Sequence, residues 1–328
     1  MHSSPCLMCR AKNGGEDEKN MLRSMDSAVA GLRAHQNKMD VIGNNISNVN
    51  TFGFKSQTYS FKEAMYQTSS ASTGGVAGQN ASAGGANAAQ YGYGTMMGSI
   101  AMDMTASTPS YVGGFNACID GEGFFITRPT IGDDAGYGVD VMKASGFDYS
   151  RVGQFQIDSN GYMVDANKNF VYGFRRTAVD ATEANLKPLK VPSDLAFGYN
   201  GDSLQLKDVQ VNSAGEVTGT VVSDDPANDG KVVSLGKVAI ATFQNPNGLT
   251  KTGGGYYNAS DSDNTGTSSA TMPGGSTSML MTGYLEASNV DLAKEFAEMI
   301  TTQRGFQANS KIITVSDEML ADLVNIKR

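Results

Sequence analysis

From Leu22 onward the apolar residues Leu22, Met25, Val29, Leu32, Met39 and Ile46 recur in steps of three and four, with gaps at Gln36 and Gly43. This spacing places them on one helical face and gives that face a heptad seam. Ala28, His35, Ile42 and Val49 flank the seam at sevenfold spacing and widen it. The far end repeats the theme: Leu292, Phe296, Met299, Phe306, Ile313, Leu320 and Val324 fall in steps that sum to sevens, and Ile300, Ile312, Met319, Leu323 and Ile326 broaden the stripe. Ser288 or Asn289 is the expected cap of this second helix, with Asp291 and Glu295 placed favourably in its early turns. A lone amphipathic helix is marginal in water because nucleation is unfavourable. Each helix therefore needs a partner, either the other helix of the same chain or a copy from a neighbouring subunit, and periodicity alone leaves both open.

Between the two ends the period changes. Residues 67–90 are a low-complexity run of Gly, Ala, Ser and Asn, expected to be flexible or extended. Beyond it GFFIT (123–127), GQFQI (153–157), VQV (209–211) and KVAIATF (237–243) read as short strands. DSNG (158–161), NSAG (212–215) and NPNG (245–248) are turn signals between them. The predicted fold class is α+β: terminal helices form a coiled-coil-like pair, and a mainly β body, a sandwich or open barrel, is inserted between them. The expected divisions are a leader over 1–20, a helical core over 21–56 with 285–328, an extended linker region over 57–110, and a β-rich body over 111–284. Residues 1–20 show no apolar periodicity, so Met21 is the expected start and the leader is expected to be non-native.

Composition narrows the function. The 328 residues carry a formal net charge of −8 and a sequence pI near 4.8, which argues against the basic face that nucleic acid requires. No apolar run is long enough to insert in a membrane, and no secretory signal opens the chain. Cys6, Cys9 and Cys118 form no disulfide framework, and the Cys6/Cys9 pair lacks two further ligands for zinc. His35 lies on the helical flank without a partner motif, so it reads as a packing or polar-seam residue, and Cys118 reads as a buried inert thiol. Gly121 and Gly123 lack the third glycine of a dinucleotide fingerprint, and the loop opening at Asp261 lacks the terminal carboxylate of a calcium site. No catalytic, cofactor-binding or metal-binding residues are assigned.

The segment MLRSMDSAVAGLRAHQNKMDVIGNNISNVNTFGFKSQTYSF (21–61) resembles the N-terminal signature of the bacterial flagellar rod and hook family. Its most specific part is Asn44, Asn45, Asn48 and Thr51 followed by Gly53, Phe54 and Lys55. Asparagine and glycine tolerate positive φ, and this run is expected to end the helix and reverse the chain. Residues 283–328 resemble the family's C-terminal helix, and 119–127, 149–165 and 235–249 resemble its body. The resemblance implies a structural protein that polymerises with itself into a helical tube in the flagellum, with both helices in the inner core. It also implies export through the flagellar type III apparatus and contacts with rod and hook–filament junction proteins and with a hook cap. VIGNNI with GFKS, SNVDL (288–292) and QRGFQANSKIITVSDEML (303–320) resemble the hook branch, so the expectation is a hook subunit, a flexible joint that transmits motor torque. The alternatives are a distal rod subunit and, from another class, a secreted β-rich adhesin.

Overall fold

The computed structural model describes residues 7–75, 84–131, 136–138, 143, 146–178, 181–191, 205–222, 229–274 and 278–326. The chain divides into two compact units. The first comprises Met1–Ser47, Gln57–Ala101 and Asp291–Arg328, and the second Asn48–Ser56 and Met102–Val290. The expected boundaries shift accordingly. Residues 48–56 and 285–290 join the body, and 57–101 join the helices.

The first unit holds two long helices, α1 (Leu7–Ser47) and α2 (Leu292–Ile326). α1 begins upstream of Met21, where its apolar periodicity starts, and part of the expected leader is therefore helical. The cap of α2 is Asp291 and not Ser288 or Asn289. Its Oδ1 accepts the N–H groups of Ala293 (2.9 Å) and Lys294 (3.3 Å), satisfying donors that have no intrahelical partner. Among the described residues no helix is long and apolar enough to cross a membrane.

The region expected as an extended linker is a paired β-ribbon. Strand Gln57–Glu63 pairs with Thr95–Met102, and Tyr66–Ser70 pairs with Ala89–Gly92. An isolated bridge joins Thr73 to Ala86, and the centre of the low-complexity run, 76–83, lies outside the described residues. The composition pointed to a linker because Ser, Ala and Gly hide the alternation. Beside the backbone ladder, small polar groups bond across the strands, such as the Ser60 and Ser99 hydroxyls at 2.9 Å and Gln90 Nε2 donating to Thr68 Oγ1 at 3.2 Å.

In the second unit, thirteen strands among the described residues join one branched sheet. Strand alternation sends neighbouring side chains to opposite faces, and here both faces are apolar. Phe124 and Ile126 enter one buried cluster with Tyr149, Tyr172 and Tyr257, and Phe125 enters a second with Val171, Leu235 and Ile240. Every expected strand falls on an observed one, except that KVAIATF is broken at Ala239 into the ends of Val232–Val238 and Ile240–Phe243. The predicted turns also form, DSNG with Gly161 at φ +79° and NSAG with Gly215 at φ +73°, values that a side-chain-bearing residue resists. Cys118 is buried, and burial pushes its thiol up to about 11.

Candidate assembly surfaces

Within the first unit α1 and α2 pair in opposite directions. Ser24 meets Ser316, Gly31 meets Asn309, His35 meets Gly305 and Asn45 meets Glu295, so positions rise on one helix by the same steps by which they fall on the other. The seam is small and polar. Ala28, Gly31, Ala34, Ile42 and Asn45 are its buried residues on α1, and Thr302 and Ser316 on α2. Gly31 and Gly305 each leave room for a polar side chain of the other helix, since a Cβ at Gly31 would stand 2.7 Å from Asn309 Nδ2. Lys38 and Glu298 add an ion pair at 3.0 Å.

The apolar seam read from the sequence lies beside this contact, which its flank enters. Ala28 and Ile42 of the flank are buried; Met25, Val29, Leu32, Met39 and Ile46 are half-buried, and the side chain of Leu22 lies outside the described residues. On α2, Met299, Ile313 and Leu320 are half-buried, whereas Leu292, Phe296, Phe306 and Val324 are exposed, Phe296 by 50% and Val324 by 65%. The periodicity found the helices, but it weighted bulk. Close approach of two backbones instead selects small residues at the contact and turns the large ones outward. The ribbon is similarly uncovered, with Met65 at 77% exposure and Tyr66, Met96, Met97 and Ile100 exposed.

The asparagine-rich motif ends α1. Asn48 O accepts the Thr51 N–H (3.1 Å) and its side chain accepts the Thr51 hydroxyl (3.2 Å). Gly53 follows at φ +69°, packed so closely that a Cβ would stand 2.9 Å from Val152. Asn44 is exposed, while Asn45 is buried and joins three segments: its amide donates to Gln57 O (2.8 Å) and Glu295 Oε1 (3.0 Å), and its Oδ1 accepts the Gln57 N–H (3.0 Å).

In the second unit, a buried ionic clamp ties together stretches where the chain enters and leaves. Lys55, at 0% exposure, donates to Glu286 Oε1 (2.7 Å) and Thr105 O (2.6 Å). The same carboxylate oxygen accepts the Ser107 N–H at 3.1 Å, and Arg151 Nη1 lies 3.5 Å from its other oxygen. Burial pulls the Lys55 ammonium below its ordinary range, although Glu286 opposes the shift. Asn289 completes the clamp, accepting the Ser56 N–H (2.7 Å) and donating to Asp103 O (2.9 Å). Phe54 is half-buried under the Lys251 ammonium, 4.3 Å from its ring centroid. Glu286, Arg151 and Asn289 were not singled out as partners of Lys55. The one signal is Lys55 itself, a lysine that follows Phe54 within the motif and needs a carboxylate once buried.

The family model described as Flagellar basal body rod FlgEFG protein C-terminal matches residues 281–326, and that described as Flagella basal body rod protein matches residues 25–55. The flagellar basal-body rod protein FlgG of Bacillus subtilis (strain 168) is 39% identical over 311 residues, covering 94% of this chain and 100% of the relative. The FlgG protein of Borreliella burgdorferi is 29% identical over 320 residues, with the same coverage of 94% and 100%. The flagellar hook protein FlgE of Borreliella burgdorferi is 23% identical over 461 residues, again covering 94% and 100%.

Proposed function

This chain belongs to the bacterial flagellar rod and hook family and so to the flagellum, and from that premise we propose that it is a distal rod subunit, a structural element of the basal body that polymerises with its own copies. The observation that carries this reading is the end-to-end match to a rod protein at 39% identity. The alignment to the hook protein runs over 461 residues against the 328 of this chain, so that relative carries long insertions which this chain lacks. The hook reading drawn from the sequence gives way to its alternative. GFKS and SNVDL, read there as hook-like, supply Lys55, Ser56 and Asn289 to the clamp, so they report on chain path and do not discriminate between the two branches.

The geometry suits a polymer. α1 and α2 satisfy each other through small and polar groups, and their large apolar residues remain outward for neighbouring copies. Function is then spread over interfaces and needs no catalytic group. Further partners on this reading are other rod proteins, hook proteins and the flagellar type III export apparatus. Immunogold labelling of detached flagella with intact basal bodies tests the assignment by electron microscopy. Label on the straight shaft is expected, label on the curved segment outside it restores the hook reading, and unlabelled flagella would return the adhesin alternative.

A further inference from the structure

The seam between α1 and α2 contains one imidazole. His35 is seated on α2 at Gly305, where a Cβ would stand 2.6 Å from its Cε1 and 2.8 Å from its Nε2. The Phe61 ring, from strand Gln57–Glu63, packs against it with centroids 5.3 Å apart. Its Nδ1 is buried and meets no hydrogen-bond partner among the described residues.

A neutral ring fits this seat better than a charged one. An imidazolium carries N–H on both nitrogens, so Nδ1 would present a donor where nothing accepts it. Charge around the seat compounds the difficulty. Lys38 lies one turn along α1, and Glu298, the carboxylate on α2 that could offset a new cation, is already held by Lys38 at 3.0 Å. Arg304 next to Gly305 on α2 and Lys62 next to Phe61 on the strand are exposed, so Lys38 is the cation that bears on the ring. Glu63 on the same strand is engaged by the Tyr66 hydroxyl at 2.8 Å.

We propose that His35 is an acid-sensitive latch of the helix pair, closed while the ring is neutral and loosened when it takes a proton. The latch rests on α1 and α2 being the assembly core, and it makes closure of that core responsive to mild acid. Burial first, and Lys38 second, hold the imidazole below its ordinary 6.5. A base depressed in the paired state binds more protons when the helices part. Pairing is therefore complete above 6.5 and is lost as pH falls through the depressed value. Glu295 acts in the opposite sense: burial raises its carboxyl above 4.5, so its contribution is present below 4.5 and is lost as pH rises through the raised value.

The chain has only two histidines, His2 and His35, so proton NMR of the full-length protein follows both, and His35→Gln assigns them. His35 is expected to titrate lower in the native protein than in the same protein unfolded in urea. Amide exchange over 31–38 and 302–309, corrected for intrinsic rates, is expected to accelerate as pH falls below 6.5. Each unit of depression accounts for about a tenfold loss of protection. His35→Gln should remove that acid dependence and leave exchange in the β body unchanged. Equal native and unfolded titration of His35, or full acid dependence retained in His35→Gln, would overturn the latch. Neither result depends on where the protein sits in the flagellum, so the latch and the rod assignment fail separately.

Discussion

The two units are built on opposite rules. The β body hides its large side chains: Phe125, Tyr149, Tyr172 and Leu235 are fully buried, on two faces of one sheet. The helical unit hides mostly small ones, Ala28, Gly31, Ala34 and Thr302 beside Ile42 and Tyr59, and leaves Phe296, Ile300, Val324 and Met65 in solvent. Hydrophobic burial scales with apolar area, about 25 cal/mol per Å². The body collects that stabilisation within one chain, whereas on the proposed reading the helical unit gains it only against a neighbouring copy.

The largest effect expected on this contrast is in the clamp of the body. Glu286→Gln strips the charge that faces Lys55 and Arg151 and leaves both cations buried, which should destabilise the body by about 3–5 kcal/mol. Urea unfolding followed by tyrosine fluorescence measures it, and a midpoint equal to wild type would mean that the clamp is solvated and that the body does not depend on it. A smaller effect is expected in the helical unit. Asn45→Ala removes three hydrogen bonds among α1, Gln57 and Glu295, and a loss of about 1–3 kcal/mol should appear as faster amide exchange at both helix ends, with the body unmoved. The smallest effect on the free chain separates the two rules. Phe296→Ala, at an exposed position, should change its stability by less than about 0.5 kcal/mol yet raise the concentration needed for polymerisation, measured by light scattering. If the same variant instead unfolded the monomer, Phe296 would belong to an internal core and the contrast would collapse.

Much of the fold was legible because its signals are local. Period-3.6 spacing located both helices, and β-branched runs bounded by DSNG and NSAG located strands and turns, since the glycines at 161 and 215 adopt a positive φ set by the turn itself. The ribbon over 57–101 escapes the sequence pattern because Gly, Ala, Ser and Asn dominate the run over 67–90, where pairing leaves little trace in the apolar periodicity. The site was legible only in part. Lys55 stood out within its motif, but Glu286 lies 231 residues away and nothing local marks it as the partner.

Two terminal helices, a β body between them and a resemblance to an axial family of the flagellum are written in local pattern and motif. The sequence carried the heptad residues but not their assignment, because a heptad states which face is apolar and is silent about which face touches which chain. Tertiary structure decided that. Two glycines, Gly31 and Gly305, let the helices approach along their small faces with Asn309 and His35 in the gaps, and close packing there leaves the bulky stripe outside.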